Sequence, residues 1–165
     1  MMQQDFKLTP LLLDTNVWLD YFLAERAGHK AAFRLIETAC RNGVQLCHAV
    51  HATKDVFFLA ASSMKRAYRT NMGVEPSEAA SNAATQTAWG FLRNMNALST
   101  AVGCDASDVW VAEKQRTTHA DYEDCLVVAA AIRCSAALLV TSDENLRKHS
   151  LVASCSPDDA LAYIS

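Results

Sequence analysis

What this sequence lacks narrows its chemistry first. None of its six cysteines, at positions 40, 47, 104, 125, 134 and 155, belongs to a Cys-x-x-Cys pair. The ligand spacing of a structural zinc site is therefore missing. Scattered through apolar segments, these residues read as buried, reduced thiols. No apolar run approaches the ~18 residues that a membrane-spanning helix needs. The opening stretch MMQQDFKLTPLLLDTNVWLDYF holds Lys7 as its only cation, and Asp14 interrupts its short apolar run. That is not the pattern of a secretory leader, so a cytoplasmic location without membrane contact is the expectation.

Other absences exclude function classes. The net charge is -3, with neither a basic nor an acidic tail. This argues against a large duplex-binding surface. It leaves room for an enzyme that meets phosphate through metal ions, because the metals supply positive charge locally. No P-loop, G-x-G-x-x-G or G-x-S-x-G is present, so kinase, dehydrogenase and hydrolase-elbow readings lack support. No repeat, low-complexity tract or linker divides the chain. With 165 residues, 51% hydrophobic and 20% charged, a single domain over residues 1–165 is expected.

What is present is an alternation of short apolar runs and helical patterns. Leu11 to Leu13 reads as a buried strand ending in Asp14-Thr15-Asn16. Val17 to Ala24 looks helical, and Gly28 marks a break. His29 to Arg41 has helical spacing and stops at Asn42-Gly43. Val44 to Cys47 is a second strand. A long helix is expected from about Ala49 to Tyr68, with Val50, Val56, Phe57, Ala60, Ala61 and Met64 on its apolar stripe. Asn71-Met72-Gly73 breaks it. Pro76-Ser77 opens another helix reaching Met95, weakened in its middle by Gly90. Leu98 to Val102 is a third strand, Ala106 to Arg116 a helix, and Thr117 to Ala120 a polar link. Tyr122 to Cys134 is a core helix. Ala137 to Val140 is a fourth strand, closed by Thr141-Ser142-Asp143. A short helix over Leu146 to His149, an edge strand over Leu151 to Ala153 and a helix capped by Ser156, with Pro157 in its first turn, complete the chain. This order predicts a three-layer α/β/α fold with a mainly parallel sheet of about four or five strands.

In such a sheet, ligands collect at the carboxyl ends of the strands. Asp14 and Asp143 each close an apolar strand, which would bring both to the same edge. Asp121 and Asp124 are three apart and share a face at the start of the core helix. Asp55 sits among apolar neighbours, where a charge is costly without a partner. Carboxylates sharing a pocket repel, and hard oxygen ligands suit Mg²⁺ or Mn²⁺. A bound divalent ion activates water and neutralises charge growing on a phosphate, which hydrolyses phosphodiesters without a nucleophilic side chain. Each acid also has a plainer reading. Asp14 and Asp143 suit helix caps, Thr141 with Glu144 has the capping-box spacing, and Asp121 or Asp124 suits a helix dipole. Asp55 could face solvent. Taken together, four such explanations account for less than one shared metal site does.

His48 and His51 are three apart, but no third nitrogen or thiolate joins them as ligand. They stand either as a weak metal pair or near the mouth of the site. Lys54, Lys65, Arg66 and Arg69 read as a phosphate-contacting strip or, more simply, as a solvated helix face. Trp18, Trp89 and Trp110 suit core or interface positions.

LLLDTNVWLDYF near the start, with DYEDCLVVAAA and then ALLVTSDENL near the end, resembles the PIN (PilT N-terminus) domain nucleases, which include VapC-type toxins. The resemblance covers nearly the whole chain. It implies metal ligands at Asp14, Asp124 and Asp143, with Asp121 an additional acid of the cluster. Asn16 would be a polar partner beside the metal, and Thr141 or Ser142 would orient ligands from the strand end. The family commonly has Glu where this chain has Asp55; being one methylene shorter, Asp55 would make its contact through water. The implied activity is hydrolysis of RNA, single-stranded or looped, with Mg²⁺ or Mn²⁺. An antitoxin protein that blocks the pocket, with an Arg reaching the carboxylates, and a homodimer are implied partners. A PIN-like RNA- or protein-binding module without activity, and a metal-dependent phosphatase or DNA nuclease, remain as alternatives.

Overall fold

The computed structural model describes residues 9–165. Lys7 lies outside the described residues, as does the rest of the stretch ahead of Thr9. The elements run β1 (Leu11–Leu13), α1 (Thr15–Phe22), α2 (His29–Asn42), β2 (Leu46–Ala49), α3 (Ala52–Met72), α4 (Glu78–Leu98), β3 (Thr100–Val102), α5 (Ala106–Gln115), α6 (Tyr122–Arg133), β4 (Leu138–Val140), α7 (Glu144–His149), β5 (Ser154–Cys155) and α8 (Pro157–Ile164). The five strands form one sheet in the order β3-β2-β1-β4-β5, and every pairing is parallel.

Helices cover both faces of the sheet because each strand presents alternate side chains to opposite sides. Leu11 and Leu13 of β1 pack on one side with Val17, Trp18, Leu35, Ile36, Leu46 and Val140. Leu12, between them, packs on the other side with Cys47, Val127, Val128, Leu139 and Leu146. All three β1 residues are thus buried, which explains why the strand reads as an unbroken apolar run rather than an alternating one. Among the described residues, no helix is long and apolar enough to cross a membrane.

Several boundaries differ from the sequence pattern, each for a local reason. β2 begins at Leu46 rather than Val44, because Leu11 pairs with Leu46 and Ala49 with Val102. Ala49 is therefore a strand residue, and the long helix starts at Ala52 and continues to Met72. It stops where Gly73 adopts φ 69°, a left-handed conformation natural to glycine. Leu98 ends α4 instead of opening β3, with Ser99 alone between the two. The edge strand is Ser154–Cys155 rather than Leu151 to Ala153, since those two residues reach Leu139 and Val140 of β4. Leu151 is exposed. Gly90 does not interrupt α4.

The chain fills one side of β1 first, with β2 and then β3, and then crosses to the other side for β4 and β5. The crevice between the carboxyl ends of β1 and β4 is therefore the topological switch point, the usual ligand position in open parallel sheets.

Candidate active site

Asp14 follows β1 directly and also caps α1, its Oδ1 accepting from the Thr15 amide at 2.7 Å. Its Oδ2 accepts from the Thr141 hydroxyl at 2.8 Å. The same hydroxyl oxygen accepts from the Asp143 amide at 3.0 Å. Thr141 is fully buried, so one hydroxyl joins the ends of β1 and β4. Asp14 is only 5% exposed. Burial pushes its carboxyl up to about 6, against the two hydrogen bonds, and the charges of Asp124 and Asp143 add to the rise. Asp14, Asp124 and Asp143 are thus close enough to feel one another electrostatically.

Asp124 stands in the first turn of α6, half-buried. Burial raises its carboxyl, as do Asp121 and Asp143, while a hydrogen bond from His119 opposes the rise. Asp121 caps α6 by accepting from the amides of Glu123 and Asp124, at 2.9 and 3.1 Å. Asp143 caps α7 by accepting from Asn145 and Leu146, at 2.7 and 3.1 Å. The cap of α7 is therefore Asp143 itself, not a box between Thr141 and Glu144. Capping uses Oδ1 of Asp143, and His119 uses Oδ2 of Asp124. The other oxygen of each carries no hydrogen bond among the described residues.

Asp55 lies in the first turn of α3, paired with Lys54 at 3.2 Å. It also hydrogen-bonds Glu123, whose carboxyl is pushed up to about 7, chiefly by that bond and then by burial. Asn16 is half-buried in the first turn of α1, and its side-chain amide makes no hydrogen bond among the described residues. Ser142 turns away from Asp14 and donates to Asp20 Oδ2 at 3.3 Å.

Of the four cations in the α3 strip, only Lys54 stands beside the carboxylates. Lys65, Arg66 and Arg69 follow it by at least three helical turns, about 16 Å along the axis, and Arg69 pairs with Glu75 at 2.8 Å. His48 is a core residue, fully buried. Its Nδ1 meets Ser99 Oγ at 2.7 Å, its ring is edge-on to Trp18, and burial lowers its pKa to about 4. His51 is half-buried with both ring nitrogens unpartnered among the described residues. Trp18 is buried, whereas Trp89 and Trp110 are 50% and 59% exposed.

Three residues near these acids escaped sequence reasoning. His119 and Glu123 gave no periodic signal, since one lies in a loop and the other on an exposed helix start. Asp20 is 4% exposed and pairs with Arg26 at 2.6 Å. A Cβ on Gly28 would fall 2.1 Å from Asp20 Oδ2, so that glycine makes room for the carboxylate. An acid inside the apolar stretch NVWLDYFL was the available signal for it.

The site's donors are hard carboxylate oxygens, with a buried acid, Asp14, whose charge no cationic side chain offsets among the described residues. That chemistry fits a divalent cation. The oxygens do not converge, however: among the described residues, no group of three His, Cys, Asp or Glu side chains is drawn tightly enough to hold a metal ion.

A sheet with acids at its switch point defines an α/β protein with a site at the carboxyl edge. The PIN domain family model matches residues 10–145, and the chain belongs to that family. PIN domains are generally nucleases that use divalent metals. No curated protein sequence matches the chain. The solved structures similar to it include two that cover most of the chain. One is the crystal structure of VapBC2 from Rickettsia felis bound to a DNA fragment from their promoter, at TM-score 0.63 and 12% identity, covering 90% of this chain and 98% of that one. The other is PAE2754 from Pyrobaculum aerophilum, at TM-score 0.57 and 13% identity, covering 99% of this chain and 94% of that one. At such identities the likeness is one of fold.

Proposed function

We propose that this protein is a metal-dependent endoribonuclease, a single-domain cytoplasmic enzyme that acts as the toxin of a toxin–antitoxin pair. The observation that carries this reading is Asp14: a nearly buried carboxylate, with its pKa pushed to about 6, facing two further acids at the switch point. Asp14, Asp124 and Asp143 would hold Mg²⁺ or Mn²⁺, with Asp121 and the Asp55–Glu123 pair completing the acidic edge. When bound, such an ion supplies an activated water and neutralises charge on the phosphate. Thr141 fixes one oxygen of Asp14, Asn16 offers an uncommitted amide beside it, and Lys54 is placed to meet a phosphate. Single-stranded or looped RNA suits an acidic crevice of this kind, because its backbone bends freely. The VapBC2 likeness supports an antitoxin partner, whose Arg would meet the same carboxylates, and homodimerisation is part of the same proposal.

A second reading, a binding module without activity, is favoured by the engagement of Asp55 with Glu123 and by the open spacing of the three acids. The test offers single-stranded RNA, single-stranded DNA and a small phosphate ester to the wild type and to Asp14→Asn, with Mn²⁺. Cleavage of RNA that needs both Mn²⁺ and Asp14 supports the proposal. Activity that survives the substitution would sink it, and preference for DNA or the small ester would reassign the substrate. Mn²⁺ binding without cleavage of any substrate would favour the second reading.

A further inference from the structure

The geometry points to His119 as a positioning residue that holds Asp124 in the orientation its metal-binding role requires. This rests on the reading of Asp124 as a metal ligand and adds a residue that neither the motifs nor the family match assigns.

Asp124 is flexible by nature. It has two rotatable bonds, and its side chain is 22% exposed at the start of a helix. His119 removes that freedom. Its Nε2 lies 2.5 Å from Asp124 Oδ2. An ionised carboxylate only accepts, so that ring nitrogen carries the hydrogen and donates. Oδ2 is thereby taken, and Oδ1 is left as the oxygen available to a cation.

The ring itself is well anchored. The His119 side chain is 6% exposed. Its ring stacks on His149, with centroids 6.4 Å apart and planes 24° from parallel. His149 is the last residue of α7, the helix that Asp143 caps, so the contact ties the His119 loop, which leads into the Asp124 helix, to the Asp143 helix. The backbone is held on both sides. The His119 amide donates to Gln115 O at 2.9 Å, and the Cys125 thiol donates to His119 O at 3.3 Å. Gln115 Nε2 also donates to Cys125 O, at 3.4 Å. A buried donor with a fixed frame behind it is the arrangement that orients a ligating carboxylate, and loss of such support weakens metal affinity by about 10- to 100-fold.

A merely structural role would be to pin the loop between α5 and α6. Three variants separate the two roles: His119→Phe keeps the ring stack and volume without the donor, His119→Gln keeps a donor near the Nε2 position, and His119→Ala removes both. Mn²⁺ affinity is measured by calorimetry, and the melting temperature without metal is measured beside it. The expected result is Mn²⁺ binding weakened by about 10- to 100-fold in His119→Phe and His119→Ala, with His119→Gln within about threefold of the wild type. Wild-type affinity in a folded His119→Phe, or His119→Gln as weak as His119→Phe, overturns the positioning role while leaving the metal site standing. Absence of any wild-type Mn²⁺ binding that Asp14→Asn abolishes overturns the site reading, and this inference with it.

Discussion

Two regions of the protein each bury an aspartate, and they treat its charge in opposite ways. Asp108 on α5 is 4% exposed and Asp14 is 5% exposed. Arg133, at the end of α6, grips Asp108 with Nε and Nη2, at 3.0 and 2.7 Å, and also reaches Asp105 at 2.8 Å. The guanidinium holds the Asp108 carboxyl below its usual range. Among the described residues, Asp14 receives a hydroxyl and an amide but no cation; burial above all, and then the charges of Asp124 and Asp143, raise its carboxyl to about 6. Both side chains are shielded from solvent, but Asp14 lies deeper in the protein whereas Asp108 sits near the surface beneath the partly exposed Arg133, and the counter-charge differs as well. An internal ion pair needs nothing further, whereas an uncompensated buried carboxylate is a standing cost that a bound dication would remove.

The largest effect expected from this contrast is on activity. Asp14→Asn should lower Mn²⁺-dependent RNA cleavage by about a hundredfold or more, while Asp108→Asn should leave cleavage within about threefold of the wild type once folding is matched. Single-turnover assays on the purified variants check both. Loss of activity in the second as deep as in the first would break the distinction.

Stability should move the other way. Without metal at neutral pH, Asp14→Asn should stabilise the fold by about 1 to 3 kcal/mol, since it deletes a charge that burial penalises. Arg133→Gln should instead lower the melting temperature by several degrees, because it strands Asp108. Thermal melts in chelator decide the signs.

The pH dependence sharpens the same point. The folded pKa of Asp14 is raised from 3.8 to about 6, so the folded state keeps its proton where the unfolded state has lost it. The stability contribution of this group is full below about 4 and is lost as the pH rises through about 6. The wild type should show this fall relative to Asp14→Asn, and Mn²⁺ affinity should weaken below about pH 6 as the proton competes for the site. Asp108, held low by Arg133, contributes in the opposite sense: its stabilisation is present at neutral pH and is lost as the pH falls below 3.8. The smallest effect should come from Thr141→Val. Removing one hydrogen bond that lowers the Asp14 pKa should move the Asp14 window upward in pH, read from the same melts.

Much of the fold was legible because the buried strands are short apolar runs between punctuated helices. Asp14 and Asp143 stood out since each closes such a run. Register was harder: β2 and β5 are placed by partners, Leu11 for one and Leu139 for the other, which local patterning does not contain. The site was legible only in its acids. The His119 contact crosses a loop without periodicity, and the opposite turns of Thr141 and Ser142, one toward Asp14 and the other toward Asp20, follow from the strand pleat at a boundary that composition does not fix. Lys65, Arg66 and Arg69 share a helix with Lys54, but helical rise carries them away from the crevice.

The Thr141 hydroxyl links two chain positions 127 residues apart, and it does so with a single hydrogen. Everything threaded between those positions is free to lengthen, shorten or exchange surface residues, provided that β1 and β4 remain neighbours. At residue 141 itself the alphabet is narrow. Serine preserves the latch, and any residue without a hydroxyl unfastens it.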